Sequence, residues 1–158
     1  MNRRQFLAAS TGFLATAAVL PQTLTASEGD FEITMSEAEW KKRLTPQQFK
    51  VLRKESTERP FTSPLNDEKR AGTYHCAGCD LPLYPSRTKY DSGTGWPSFW
   101  EPLDNAIGTK PDRKLLRVRT EVHCRRCGGH LGHVFNDGPK PTGKRHCLNG
   151  VALTFRPA

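Results

Sequence analysis

The sequence predicts a mainly β protein, an antiparallel core preceded by a short helical N-terminal arm. Three observations point there. From Thr73 onward, Gly and Pro recur every few residues and the segments between them are short. Residues 114–122 alternate, with Leu116, Val118 and Val122 on one face and Arg117, Arg119 and Glu121 on the other. No apolar run of helical length separates the strands, which argues against βαβ units and a parallel sheet. At 158 residues the chain is long enough for one domain with its own core plus extensions.

Taken in order, the chain begins with a leader. Residues 1–7 carry Arg3 and Arg4 and no acid, and an apolar run follows to Leu20, broken only by Ser10, Thr11, Gly12 and Thr16. A short positive region ahead of an apolar stretch too short to span a bilayer comfortably reads as a signal peptide. The arginine pair followed by x-Phe-Leu resembles the twin-arginine export signal of bacteria. The expected organisation is a signal peptide over 1–26, cleaved after Ala26, a linker over 27–35 and a folded domain over 36–158. The protein is expected to be exported, to the periplasm, with no stable membrane anchor after cleavage; an uncleaved amphipathic anchor is the alternative. Of the formal charge of +8, Arg3 and Arg4 contribute two, leaving +6. The other Lys and Arg are scattered among acids, as on an ordinary solvated surface, so no nucleic-acid partner is expected.

Two short helices follow. Ser36 and Glu39 form a capping box with Met35 and Trp40 as its hydrophobic staple. Thr45 and Gln48 form a second, with Pro46 at the first helical position and Leu44 and Phe49 as staple. Pro60, Pro64 and the polar stretch 66–70 read as a loop, and the β region begins at Thr73. Near the C-terminus, residues 147–155 read as one strand, with Cys147, Asn149, Val151, Leu153 and Phe155 on one face and Arg145 just upstream.

The chemistry concentrates in the cysteines and two further stretches. Four of five cysteines form two separated C-x₂-C pairs, Cys76/Cys79 and Cys124/Cys127, the signature of a tetrahedral Cys₄ zinc site. Gly78 and the Gly128-Gly129 pair relax the knuckle turns. One structural zinc per chain is the expected cofactor; redox dithiols and structural disulfides are the alternatives for this spacing. Cys147 is left over. A lone strand cysteine is often a small buried hydrophobe, but a neighbouring guanidinium, here Arg145, favours an activated thiolate. His130 and His133 stand three residues apart beside Asp137, with Gly132 to let the backbone bend between them. Such a pair can donate a proton and hold its tautomer through a carboxylate partner. It directly follows the second knuckle, so a metal there would hold it rigidly. Over residues 90–100, glycines and a proline around aromatics make a fixed turn that displays Trp96, as an apolar wall for a methyl group or, in the alternative, as a buried core residue.

The motifs G-T-G-W-P-S-F from Gly93, the two C-x₂-C pairs, H-L-G-H-V-F-N-D-G-P from His130 and R-H-C-L-N-G from Arg145 resemble the B-type methionine-R-sulfoxide reductases. The likeness runs over residues 36–155. It implies two facing antiparallel sheets with a Cys₄ zinc. It implies that Cys147 is the catalytic cysteine, that His130, His133, Asp137, Arg145 and Asn149 are the polar active-site set, and that Trp96 and Phe135 wall a methyl pocket. There are departures. Thr94 stands where the family often has a resolving cysteine, Gly150 where Ser is common, and His146 where an aromatic is common.

The reaction so implied is reduction of methionine R-sulfoxide, free or within proteins. Cys147 attacks the sulfoxide sulfur while His130 or His133 protonates the oxygen, and Cys147 is left as a sulfenic acid. With Thr94 in place of cysteine, an external reductant is expected, either a thioredoxin-like domain or a small thiol. Two other readings compete: a zinc-ribbon binding module with an inert Cys147, and a peroxide-reducing thiol enzyme.

Overall fold

The computed structural model describes residues 31–114 and 117–158. The expected signal peptide, its cleavage point and the start of the linker lie outside the described residues, as do Leu115 and Leu116. The N-terminal arm folds as its caps predict. Helix α1 (Glu37–Arg43) starts at Ser36, whose hydroxyl accepts from the Glu39 amide while the Glu39 carboxylate accepts from the Ser36 amide. Helix α2 (Pro46–Lys54) repeats this with Thr45 and Gln48. Helices this short do not persist alone in water. They hold by burying Trp40, Phe49, Val51 and Leu52 against the sheets. A further tie comes from Arg53, which covers the Trp40 ring and donates to the Cys127 carbonyl at 2.9 Å.

Among the described residues nine strands follow: β1 (Gly72–Cys76), β2 (Pro82–Pro85), β3 (Lys89–Tyr90), β4 (Ser98–Phe99), β5 (Ile107–Asp112), β6 (Arg119–Cys124), β7 (His130–Phe135), β8 (Arg145–Leu148) and β9 (Leu153–Pro157). They form a three-stranded sheet, β2-β1-β9, and a six-stranded sheet, β3-β4-β8-β7-β6-β5. All pairings are antiparallel. The sheets pack through Tyr74 and Tyr84 of the first against Phe99 of the second, at centroid distances of 4.9 and 4.6 Å. Leu83, Leu131 and Leu148 are wholly buried around them.

Two expectations from the sequence need correction. Residues 147–155 are not one strand. Strand β8 ends at Leu148, residues Gly150–Ala152 make a 3₁₀ turn, and β9 continues in the other sheet. Asn149 causes the break: its backbone and side-chain N–H groups both donate to the Leu131 carbonyl, and its Oδ1 accepts from the Glu58 amide. The alternating run also does not start at residue 114. Asp112 accepts from the Lys114 amide, an Asx-type turn that ends β5, and β6 begins only at Arg119. Val118, expected to share a face with Val122, is 68% exposed whereas Val122 is buried.

Candidate active site and metal centre

The register of the six-stranded sheet builds the site. Directly opposed residues share a face, and one row crosses all six strands: Tyr90, Ser98, Cys147, His133, Glu121 and Lys110. In the same ladders Arg145 opposes Phe135 and Asp112 opposes Arg119. Cys147 therefore has His133 as its immediate cross-strand neighbour.

His130 joins them through an irregularity. Residues three apart on a regular strand point to opposite faces. Here the β6–β7 register shifts, so that Gly132 pairs with Val122 but His130 with His123. The bulge brings both rings to one side, edge to face at 5.4 Å. Gly132 serves close approach rather than bending, because a Cβ there would lie 2.1 Å from the Cys147 carbonyl oxygen.

The imidazoles have carboxylate partners, but not the expected one. Asp137, with its side chain 62% exposed, forms a two-pronged pair with Arg145 at 2.9 and 2.8 Å. Instead Glu121 Oε1 lies 2.9 Å from His130 Nδ1, and Asp112 Oδ2 lies 2.8 Å from His133 Nε2. Both carboxylates are buried. The Lys114 amide, then His133 and Arg119, hold the Asp112 carboxyl well below the usual range. Burial pulls Glu121 up, but His130 and Lys110 outweigh it and leave the carboxyl below its ordinary value. Burial also lowers the His133 pKa. Sequence reasoning misses Asp112, Glu121 and Arg119. The charged face of β6 reads as solvated, and only the pairing with β7 shows what it meets.

Cys147 is half-buried at a cavity of about 120 Å³ walled by Trp96 and Phe135, with His133, Asn149 and Arg119 also lining it. Trp96 is fixed by its indole N–H, which donates to the Glu58 carbonyl at 2.9 Å. Arg145 lies against the Phe135 ring, 4.5 Å from its centroid. His130 stands behind His133. Five of the expected residues thus line one cavity, and Arg145, Asp137 and His130 support its edge.

The thiol does not behave as Arg145 alone would suggest. Burial pushes the Cys147 thiol up, and this outweighs the lowering by the Thr94 hydroxyl and by Arg145. Arg145 is shared between Cys147 and its pair with Asp137. At neutral pH the resting group is a thiol, a correction to the activated thiolate. Thr94 Oγ1 lies 3.9 Å from Cys147 Sγ, in a hydroxyl chain with Ser92 and Ser98.

The other four cysteines meet as their spacing predicts. Their Sγ atoms all lie within 4.8 Å of one another, all are buried, and none is in a disulfide. Each knuckle is the turn of a hairpin, β1–β2 in one sheet and β6–β7 in the other. Four buried thiols in this geometry can hold a metal ion. Gly128, at φ 67, supplies the left-handed position of the second knuckle; in the first, Asp80 takes it at φ 62 rather than Gly78.

Residues 44–157 match the SelR domain family. The chain is 57% identical to the peptide methionine sulfoxide reductase MsrB of Pseudomonas putida (strain W619), over 75% of this chain and 90% of that protein. It is 50% identical to the MsrB of Agrobacterium fabrum (strain C58 / ATCC 33970), over 80% of this chain and 94% of that protein. It is also 50% identical to the chloroplastic peptide methionine sulfoxide reductase B1 of Arabidopsis thaliana, over 84% of this chain and 66% of that protein. With a Cys₄ cluster joining two antiparallel sheets and a cysteine facing a histidine at an aromatic-walled cavity, the chain belongs to the SelR-domain family of B-type methionine-R-sulfoxide reductases.

Proposed function

We propose that the protein reduces methionine R-sulfoxide, within proteins or free, to methionine, with Cys147 as nucleophile. The observation that carries this is the pairing of Cys147 with His133 at the mouth of the Trp96–Phe135 cavity. The two aromatic walls suit the methyl group of the sulfoxide.

The proton path follows from the partners. Asp112 is ionised, and burial keeps His133 neutral near pH 7. The ring proton therefore sits on Nε2, donating to Asp112, and Nδ1 carries the free lone pair. His133 can then take the Cys147 proton as the sulfur bonds to the sulfoxide sulfur, and pass that proton to the sulfoxide oxygen. The oxygen moves to the Cys147 sulfur as the bond between the two sulfurs breaks. Methionine leaves, Cys147 remains as sulfenic acid, and no net proton is consumed. His130 and Glu121 steady the His133 ring from behind. Asn149 spends its side chain on backbone groups and so positions the cavity wall.

With four cysteines clustered at the metal centre, the residue beside Cys147 at position 94 is a threonine, whose hydroxyl cannot form a disulfide. The sulfenic acid is therefore resolved by an external thiol, from a thioredoxin-like domain or a small molecule, through a mixed disulfide. The metal is zinc, since four sulfur donors close a tetrahedral shell and leave no position for substrate. Its role is structural. The leader's arginine pair supports export to the periplasm by the twin-arginine route; with Arg3 and Arg4 both changed to Lys, the protein should stay in the cytoplasm.

Single turnover tests the chemistry. Enzyme given one equivalent of L-methionine-R-sulfoxide without reductant should release about one methionine per chain and gain one trappable sulfenic oxygen on Cys147. Cys147→Ser should release none while keeping its metal. Turnover by Cys147→Ser, or an intramolecular disulfide from Cys147 in the wild-type product, would sink the scheme.

A further inference from the structure

A second concavity, about 170 Å³, lies beside the catalytic cavity and shares Trp96 with it as a common wall. Phe61, Gly93, Gly95 and Pro97 also line it. Phe61 is one of two large hydrophobic side chains exposed among the described residues, at 73%. It also holds an unusual backbone. Its φ is 62, in the left-handed region that an aromatic side chain rarely enters. The conformation is clasped by the neighbouring loop: the Phe61 amide donates to the Gly95 carbonyl at 2.7 Å, and Gly95 itself sits at φ 89. A Cβ at Gly95 would lie 2.8 Å from both the Phe61 amide nitrogen and its ring. A strained aromatic residue is thus held by a glycine that takes its positive φ freely, and the pair stands an aromatic ring in water; strain such as that at Phe61 persists where the surroundings enforce it at a working site.

The same segment builds both concavities. Thr57 lines the catalytic cavity, the Glu58 carbonyl fixes the Trp96 indole as a partition, and Phe61 walls the outer groove. Two of the charges at the groove are engaged. The Lys89 ammonium donates to the Asn66 carbonyl, and the Asp91 carboxylate accepts from the Gly93 amide. Phe61, Trp96 and Tyr90 give the space three aromatic rings, with Asn66 and Asp67 at its polar side.

We propose that this groove is a second substrate subsite, taking a large apolar side chain close in sequence to the sulfoxide when the substrate is an extended peptide. The proposal rests on the reading of the reaction given above. In an extended chain, side chains on one face repeat every two residues, about 7 Å apart, a span that carries a neighbour past one indole ring. Free methionine sulfoxide has no such neighbour and would use the catalytic cavity alone.

The test compares three substrates with dithiothreitol as reductant: L-methionine-R-sulfoxide, an acetylated and amidated pentapeptide with glycines around the R-sulfoxide, and the same peptide with leucines two residues to either side. Wild-type enzyme should prefer the leucine peptide over the glycine peptide by roughly tenfold in kcat/KM, chiefly through KM. Phe61→Asn and Phe61→Gly both tolerate the left-handed backbone. Each should abolish that preference while leaving the glycine peptide and the free amino acid unchanged. A preference absent from wild type, surviving both substitutions, or lost together with activity on all three substrates would overturn the groove as a subsite. If wild type reduces none of the three, the reaction is misread and the groove falls with it.

Discussion

At the scale of single residues, the decisive feature is that Cys147 rests as a thiol beside a neutral imidazole. The reactive state is then favoured over a broad neutral range. Acidification through the lowered pKa of His133 removes the base, and alkalinisation through the raised pKa of Cys147 removes the proton that the oxygen needs. The pH profile of kcat/KM should be flat around neutrality, with its acid limb below 6.5, the ordinary histidine value. An acid limb above that value would contradict a neutral His133. Asp112 enters only through the tautomer it imposes, so Asp112→Asn should lower kcat by about 10²-fold with little change in KM. The amide can accept or donate, and the His133 Nε2 proton should no longer be held; its ¹⁵N resonances report this directly. Thr94 is close enough to Cys147 for Thr94→Cys to be informative. After one turnover the variant should lose the trappable sulfenic acid, and peptide mapping should show a disulfide between the introduced thiol and Cys147. Persistence of the sulfenic acid would count against that proximity.

At the scale of elements, the knuckles matter because each is a hairpin turn belonging to a different sheet. A metal held by Cys76, Cys79, Cys124 and Cys127 would pin the two sheets at one point and fix β7 at its first residue, His130. Cys76→Ser, or removal of the metal by a chelator, should therefore unfold the chain or greatly lower its melting temperature, since structural metal binding is coupled to folding free energy. A metal-free protein as stable as the holoprotein would refute that role. The spacing of these cysteines is legible in the sequence because a knuckle is local, and so are both capping boxes. The active-site carboxylates are not. Asp112 and Glu121 reach the histidines through strand register, and the bulge at His130 is invisible to a period-two reading. Asp137 suggests itself as the partner because it lies nearest in sequence, whereas Arg145, across the β7–β8 turn, claims it. The Asn149 break is hidden for a similar reason: its partners, Leu131 and Glu58, are distant in the chain.

At the scale of the whole molecule, His146 sits where the sheets meet. It faces away from the Cys147 side of β8, and its Nδ1 lies 3.0 Å from the hydroxyl of Tyr84 in the other sheet. This gives the departure at residue 146 a structural account: a histidine in place of an aromatic satisfies a buried phenol. Burial lowers its pKa to about 4 from the ordinary 6.5. Above pH 6.5 it is neutral whether the chain is folded or not, and it exerts no pH dependence. Between 6.5 and 4 the unfolded chain takes up a proton that the folded protein refuses, so stability falls as pH falls, by about 1.4 kcal/mol per unit and about 3 kcal/mol across the window. Below pH 4 both states are protonated and this slope ends. His133, also lowered, adds a slope of the same sign. His146→Phe should lessen the decline in urea-unfolding free energy between pH 6.5 and 4, leaving the part that His133 and His123 contribute. At pH 7 the same variant should be less stable by about 1–3 kcal/mol, because the Tyr84 hydroxyl loses its buried partner. Adding Tyr84→Phe should recover much of that loss. A pH dependence unchanged by His146→Phe would place the acid sensitivity elsewhere, in groups outside the contact between the two sheets.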